Sequence, residues 1–191
     1  MMITRIFKWL SFNIRYFWDA PWDTGITPPE VFKFIENTQP GRALDLGAGT
    51  GTNIITLAKA GWDAVGVEYA LVAIITAKLK IKRERVDAKV FMHEVTELDF
   101  LTGSFDLVLD IGCFHSLEPE ERREYRNNLP ALLNPGGTFL LYSFLSTEPD
   151  HPVGISEEEI VYFSQILQKI SAVRGTEREK LGSIWLEFRK K

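Results

Sequence analysis

Ala43-Leu-Asp-Leu-Gly-Ala-Gly-Thr-Gly51 constrains this chain more than any other stretch. Ala43 to Leu46 is short and apolar apart from one acid, as a buried strand would be. Gly47, Gly49 and Gly51 then allow a sharp turn and a close approach of backbone to a ligand. Thr52 to Ala60 follows with helical spacing, which sets the turn at a helix N-terminus. Strand, tight glycine turn and helix in that order form the first unit of a nucleotide-binding α/β fold. In the dinucleotide pattern G-x-G-x-x-G the third glycine would fall at position 52, which is Thr52. Asp45 lies two residues ahead of the first glycine, where it would repel a diphosphate and attract a ligand carrying ammonium and sulfonium groups.

The segments that follow extend the pattern. Asp63 to Glu68 reads as a second strand ending in an acid, 17 residues beyond Gly51. An acid at that strand tip can accept hydrogen bonds from both hydroxyls of a ribose. Tyr69 follows it and is placed to pack on a base. Leu71 to Lys82 is helical, and its basic run, Lys78 to Arg85, reads as a solvated face with favourable charge at the helix C-terminus. Ala88 to Glu94 is a third strand and Phe105 to Asp110 a fourth, the latter apolar enough to be buried on both faces of a parallel sheet. Pro119 to Leu133 reads as an amphipathic helix, Asn134 to Gly137 as a turn and Thr138 to Leu145 as a fifth strand. Ser156 caps a further helix whose first turn carries three glutamates. Lys169 to Arg174 and Ser183 to Lys190 alternate as a closing antiparallel hairpin.

With Asp45, Gly47, Gly49 and Gly51 in an acid-x-Gly-x-Gly-x-Gly array, the chain resembles the class I S-adenosylmethionine-dependent methyltransferases. Two further stretches, Pro21-Trp-Asp-Thr-Gly25 and Asp110-Ile-Gly-Cys-Phe-His115, are similar to those of the small-molecule, thiopurine/tellurite-type members. The resemblance covers nearly everything after Pro21. It implies a Rossmann-like, seven-stranded, mostly parallel sheet with helices on both faces and an antiparallel C-terminal hairpin. It also implies S-adenosylmethionine as cofactor and S-adenosylhomocysteine as product. By that resemblance Trp22, Asp23, Thr24 and Gly25 close over the cofactor, although Trp22 also reads as a plain hydrophobic anchor for its loop. The glycine turn Gly47, Ala48, Gly49 and Gly51 packs against the homocysteine part and Asp45 attracts its ammonium, Asn53 is a further cofactor-binding residue, and Glu68 and Tyr69 take the ribose and adenine. Glu94 and Val95 mark the adenine edge, and Asp110 and Ile111 border the methionyl side.

Methyl transfer from a sulfonium needs alignment and desolvation, and sometimes a base. His115 is the candidate base, because histidine titrates in the useful range; a satisfied structural histidine beside a helix start is the equal alternative. Cys113, the single cysteine, reads as a small buried hydrophobe, and no intrachain disulfide can form. No cluster has metal-ligand spacing. The Asn/Asp-Pro-Pro-Tyr/Phe motif of DNA amino-methyltransferases is absent after the fourth strand. With a net charge of −4 and a pI near 5.5, that turns the reading away from nucleic acid.

Residues 1–20 are distinctive. At helical pitch Ile3, Ile6, Phe7, Leu10, Ile14 and Phe17 share an arc of roughly 100°, with Thr4, Lys8, Ser11 and Arg15 on the other side. Such a helix either packs its apolar arc on the core or lies on a membrane surface. Prolines 21, 28 and 29 enforce a loop before the next helix, which runs to about Glu36. The expected organisation is one domain: residues 1–30 as helix and cofactor-covering loop, 31–191 as the methyltransferase domain. With no apolar run long enough to span a bilayer and no signal-peptide block, the expected location is the cytoplasm. The acceptor is a small molecule, apolar or aromatic by the wealth of aromatics in residues 1–30. Alternatives are a membrane-surface lipid or quinone-type methyltransferase, and a protein that binds S-adenosylmethionine without catalysis. A nicotinamide oxidoreductase is opposed by Asp45 and Thr52.

Overall fold

The computed structural model describes residues 2–18, 20–146, 153–177 and 181–191. Asp19 and residues 147–152, which hold most of the link between the fifth strand and the last helix, lie outside the described residues. The chain forms two compact units, Met1–Val95 and Thr96–Lys191. The first contains α1 (Met2–Trp18), α2 (Pro29–Glu36), β1 (Arg42–Leu46), α3 (Thr52–Lys59), β2 (Asp63–Glu68), α4 (Leu71–Glu84) and β3 (Ala88–Met92). The second contains β4 (Phe105–Ile111), a single 3₁₀ turn (Phe114–Ser116), α5 (Pro119–Leu132), β5 (Leu133–Phe144), α6 (Glu157–Ile166), β6 (Gln168–Glu177) and β7 (Leu181–Arg189). The seven strands have the order β3-β2-β1-β4-β5-β7-β6. β1 with β2, β2 with β3 and β4 with β5 pair in parallel; β7 runs antiparallel to both β5 and β6. The expected Rossmann-like sheet and C-terminal hairpin are both present.

In the first unit the βα crossovers bury one face of each helix. Leu44, Ile54, Leu57, Val67 and Ala73 are all sealed from solvent. Parallel strands covered on both sides are mostly apolar and buried along their length, as β1 is from Ala43 on apart from Asp45 and β2 is between its two end acids. The second unit is built around aromatic rings. Phe114, Phe139, Phe163 and Phe188 are fully buried, and Phe163 lies 5.2, 5.5 and 5.7 Å from the other three. Tyr125 joins them 5.2 Å from Phe114. Ser156 caps α6 with a reciprocal box to Glu159, and Glu118 does the same for α5 with Glu121.

Two expectations need correction. Asn134 to Gly137 is not a turn ahead of the fifth strand but an outward bulge within it. Phe105 pairs with Leu133 and Leu107 with Thr138, so the extra residues of β5 are looped out. Gly136 supplies φ of 77°, and a Cβ on Gly137 would lie 2.8 Å from the Phe105 carbonyl oxygen. The second correction concerns α1. It packs on the first unit, but Ile6, Phe7, Leu10, Ile14 and Phe17 of its apolar arc are exposed, so of the two placements given for that arc the core one does not hold; the Ile3 side chain lies outside the described residues. The docked side is Trp9, Phe12, Asn13 and Tyr16. The cause is polar: Asn13, 8% exposed, accepts the Val72 N–H at the start of α4, where Ala70 offers no side-chain cap. Its amide also donates to the Trp9 carbonyl. Satisfying that helix end fixes the rotation of α1 and turns the apolar arc outward.

Candidate functional site

The glycine turn of the first unit is closed on itself and on the tip of β2. Gly47, Gly49 and Gly51 have φ of 75°, 53° and 82°, values that L side chains resist. Gly47 and Ala48 donate N–H bonds to the Val67 carbonyl, and Gly51 donates to Ala48. Ala48 comes so close to β2 that a Cβ at Gly66 would stand 2.7 Å from its own. Gly49 donates to Glu68 Oε2 at 2.9 Å, while Tyr69 and Ala70 donate to Oε1 at 2.8 Å. Both lone-pair positions of Oε1 are thus taken and one remains on Oε2. That accommodates one incoming hydroxyl; a second must displace a backbone donor. Burial pushes the Glu68 carboxyl up, opposed by these three N–H bonds, and the charge of Asp23 adds to the rise. Asp45 is buried within β1. Asn53, in the first turn of α3, holds a buried carboxamide oxygen with no hydrogen-bond partner among the described residues. A buried orphan acceptor beside a glycine turn and a helix N-terminus is the mark of a ligand cradle.

Of the four loop residues expected over the cofactor, Asp23 reaches this turn, and Tyr16 of α1 joins it. Asp23 accepts a 2.8 Å bond from the Thr50 hydroxyl, and Lys80 of α4 donates to the same hydroxyl. Tyr16 of α1 carries its hydroxyl 3.1 Å from where a Cβ on Gly49 would lie. Trp22 stands edge-on to Phe12 and Tyr16, at 5.9 and 5.8 Å, and the Arg15 guanidinium lies 5.5 Å from its ring. Trp22 is therefore pinned by α1. Thr24 makes a local turn with Ile26, and among the described residues nothing lies within 4 Å of a Cβ placed at Gly25. Tyr69 and Glu94 are half-buried and Val95 is buried. Thr50 was not singled out from sequence, and Lys80 was read only as part of the solvated basic run Lys78 to Arg85. Only the i, i+3, i+4 relation of Trp9, Phe12, Asn13 and Tyr16 could have marked the docked side of α1.

In the second unit, Asp110 ends β4 with its carboxylate wholly committed. Oδ1 accepts the Cys113 N–H at 2.8 Å; Oδ2 accepts the Phe114 N–H at 3.0 Å and the Tyr125 hydroxyl at 2.7 Å. Burial pushes this carboxyl up to about 7 against those donors. The side chain shapes the Asp110–Ser116 turn, and half-buried Ile111 stands opposite Tyr142 in the β4–β5 ladder. Cys113 is half-buried, not sealed as expected. His115, 8% exposed, stacks on Phe144 at 4.6 Å, and its Nδ1 accepts the Phe144 N–H at 3.2 Å. Burial, then the nearby Arg122 charge, lowers its pKa to about 4. With Nδ1 accepting, the proton resides on Nε2, so at neutral pH the imidazole is a donor with no lone pair free to act as base. Of the two readings of His115, the geometry matches the structural one.

Arg122 was not anticipated. It donates to the carbonyls of Leu117, His115 and Gly154 at 2.8–2.9 Å and pairs with Glu159 of α6 at 3.1 Å. One guanidinium fork thereby fixes the turn, the start of α6 and the segment between them.

The family described as "Methyltransferase domain" matches residues 43–137. A probable thiol methyltransferase of Arabidopsis thaliana is 31% identical over 169 residues, spanning 82% of this chain and 74% of that protein. A 2-heptyl-1-hydroxyquinolin-4(1H)-one methyltransferase of Mycobacteroides abscessus is 29% identical over 146 residues, spanning 73% of this chain and 64% of that enzyme. In fold, the chain is similar to the N-methyltransferase NodS of Bradyrhizobium japonicum, solved with S-adenosylhomocysteine (TM-score 0.81, 18% identity, covering 95% and 97% of the two chains).

Proposed function

The chain belongs to the S-adenosylmethionine-dependent small-molecule methyltransferases, and from that premise we propose that it methylates a small apolar or aromatic acceptor. One observation carries the reading: a turn in the acid-x-Gly-x-Gly-x-Gly pattern whose middle glycine is hydrogen-bonded to the carboxylate at the tip of β2. The donors and acceptors present suit the cofactor. Asp45 offers charge to its ammonium, Asn53 Oδ1 offers an unmet acceptor, and Glu68 Oε2 keeps one position for a ribose hydroxyl. The remaining first-unit residues named from the resemblance, from Trp22 to Val95, are assigned to the same ligand. The cofactor brings an activated methyl on a sulfonium. The chain supplies orientation and a dry surface, with His115 as a fixed donor. No proton transfer is assigned to a side chain.

The half-buried aromatics Trp9, Phe12, Tyr16 and Tyr69 of the first unit support an apolar or aromatic acceptor. So does the heptyl-quinolone named for one relative, while the thiol named for the other supports a small-molecule acceptor. The assigned location is the cytoplasm, with residues 1–30 covering a single methyltransferase domain and no nucleic-acid partner. A second reading, a membrane-surface acceptor of lipid or quinone type, is favoured by one observation: the outward apolar arc of α1. Among the described residues no helix is long and apolar enough to cross a membrane, so any contact would be peripheral.

The test is to incubate the protein with methyl-labelled S-adenosylmethionine and an extract of its own host, and to partition the products. Label in a new aqueous product supports a soluble acceptor, and label in the organic phase a hydrophobic ring or a lipid. Absence of any labelled product would leave binding without catalysis and overturn the proposal.

A further inference from the structure

α1 and α4 pack together and both leave apolar side chains in solvent. On α1 these are Ile6, Phe7, Leu10, Ile14 and Phe17, with Phe7 and Phe17 67% and 70% exposed. On α4 they are Leu71, Ile75 and Leu79, one stripe at i, i+4 and i+8. Eight large apolar side chains exposed on two helices that pack together mark an interaction surface. The charge around it selects the partner. α1 carries Arg5, Lys8 and Arg15 with no acid, a balance of +3. α4 carries Lys78, Lys80, Lys82 and Arg83 against Glu84, also +3. The pair therefore holds +6 in a chain whose net charge is −4, so every other residue together sums to −10.

We propose that the exposed faces of α1 and α4 dock on an anionic lipid surface. It rests on the second reading above for the presence of a membrane, and adds the docking face and the lipid chemistry. Exposed apolar side chains enter the headgroup boundary while long basic side chains reach phosphate, the arrangement of an interfacial helix. Lys78, Lys82 and Arg83 are exposed on α4, and Arg15 on α1. A second copy of the chain suits the face less well, since a two-fold pair through it would set the exposed Arg15, Lys78, Lys82 and Arg83 of one copy against the same residues of the other. The docked side of α1 holds Tyr16 against Gly49. The helix that meets the lipid therefore also lies on the candidate cofactor turn.

The experiment is co-sedimentation of the full chain with phosphatidylcholine–phosphatidylglycerol vesicles and with pure phosphatidylcholine vesicles. The wild type is expected to sediment with the anionic vesicles and remain in solution with the neutral ones. Phe7→Glu with Ile14→Glu should abolish sedimentation, and Lys78→Glu with Lys82→Glu should lower it by about thirtyfold or more. Calorimetric affinity for S-adenosylhomocysteine, unchanged in both variants, shows that they fold. A wild type that stays in solution with anionic vesicles overturns the docking face, as does binding that ignores both sets of substitutions. Self-association of the wild type, lost in Phe7→Glu/Ile14→Glu and without vesicle binding, would assign the face to a second copy and overturn it too. Sedimentation together with an aqueous methylated product would sink only the lipid-acceptor reading and leave the docking face standing.

Discussion

His115 is where residue type and residue environment part company. Its position after the fourth strand was legible, and so was the possibility of a base; the environment that decides between base and scaffold was not. Neutrality follows from burial and from the Arg122 charge, and Nδ1 is taken by a main-chain N–H. The turnover rate is therefore expected to show no ionisation between about pH 6 and 8 that disappears in His115→Asn. A wild-type inflection near 6.5, abolished by that substitution, would restore the base. Gly66 teaches the converse. It sits in a strand without any motif, yet a Cβ there would meet that of Ala48 at 2.7 Å, so Gly66→Ala should destabilise by about 1–3 kcal/mol in urea unfolding. An unchanged midpoint would mean that the glycine turn yields more readily than its hydrogen bonds suggest.

Elements were read well where one period dominated and poorly where a polar contact set the geometry. β1, β2 and α3 fall within a residue or two of their expected ends, since apolar runs and glycines fix them locally. The bulge in β5 was not legible, because Pro-Gly-Gly looks the same in a turn and in a loop-out; only the pairing of Phe105 and Leu107 distinguishes them. The rotation of α1 depends on Asn13, a single residue whose partner lies 59 positions away. Asn13→Ala should cost about 1 kcal/mol as a lost cap and lower the melting temperature, whereas Ser11→Ala, on the exposed side, should not. Equal melting points would return the placement of α1 to its aromatic contacts alone. In the second unit, Arg122→Met should cost about 1–3 kcal/mol by removing the donor to three carbonyls, while Glu159 keeps Arg126 and Ser156; Arg122→Lys should recover little of it, because an ammonium cannot span the fork. Full recovery by lysine would contradict that geometry.

At the scale of the whole molecule, buried titratable groups pull stability in opposite directions. His115 is neutral when folded but takes a proton when unfolded, so its contribution is full above pH 6.5 and is lost as pH falls toward 4. Asp110 keeps a proton when folded that the unfolded chain releases; its contribution is full below about 3.8 and is lost as pH rises through 7. Glu68, also raised, acts on the Asp110 side. The deficit of Asp110→Asn relative to wild type should therefore shrink as pH rises from 4 to 7, and that of His115→Asn should shrink as pH falls over the same range. Parallel urea-midpoint profiles for the two variants would contradict both assignments. The order of motifs made the sheet and its cofactor class legible as a whole. The acceptor was not, because no residue pattern names a small apolar ligand, and the segments that would enclose it owe their placement to long-range contacts. The central claim is that Asp45, the glycine turn and Glu68 form the S-adenosylmethionine cradle. Its most direct test is the calorimetric affinity for S-adenosylhomocysteine of wild type, Asp45→Ala and Glu68→Ala. Each substitution is expected to weaken binding by about 10- to 100-fold, the worth of a hydrogen bond to a charged group; unchanged affinity in both would contradict the assignment of the site.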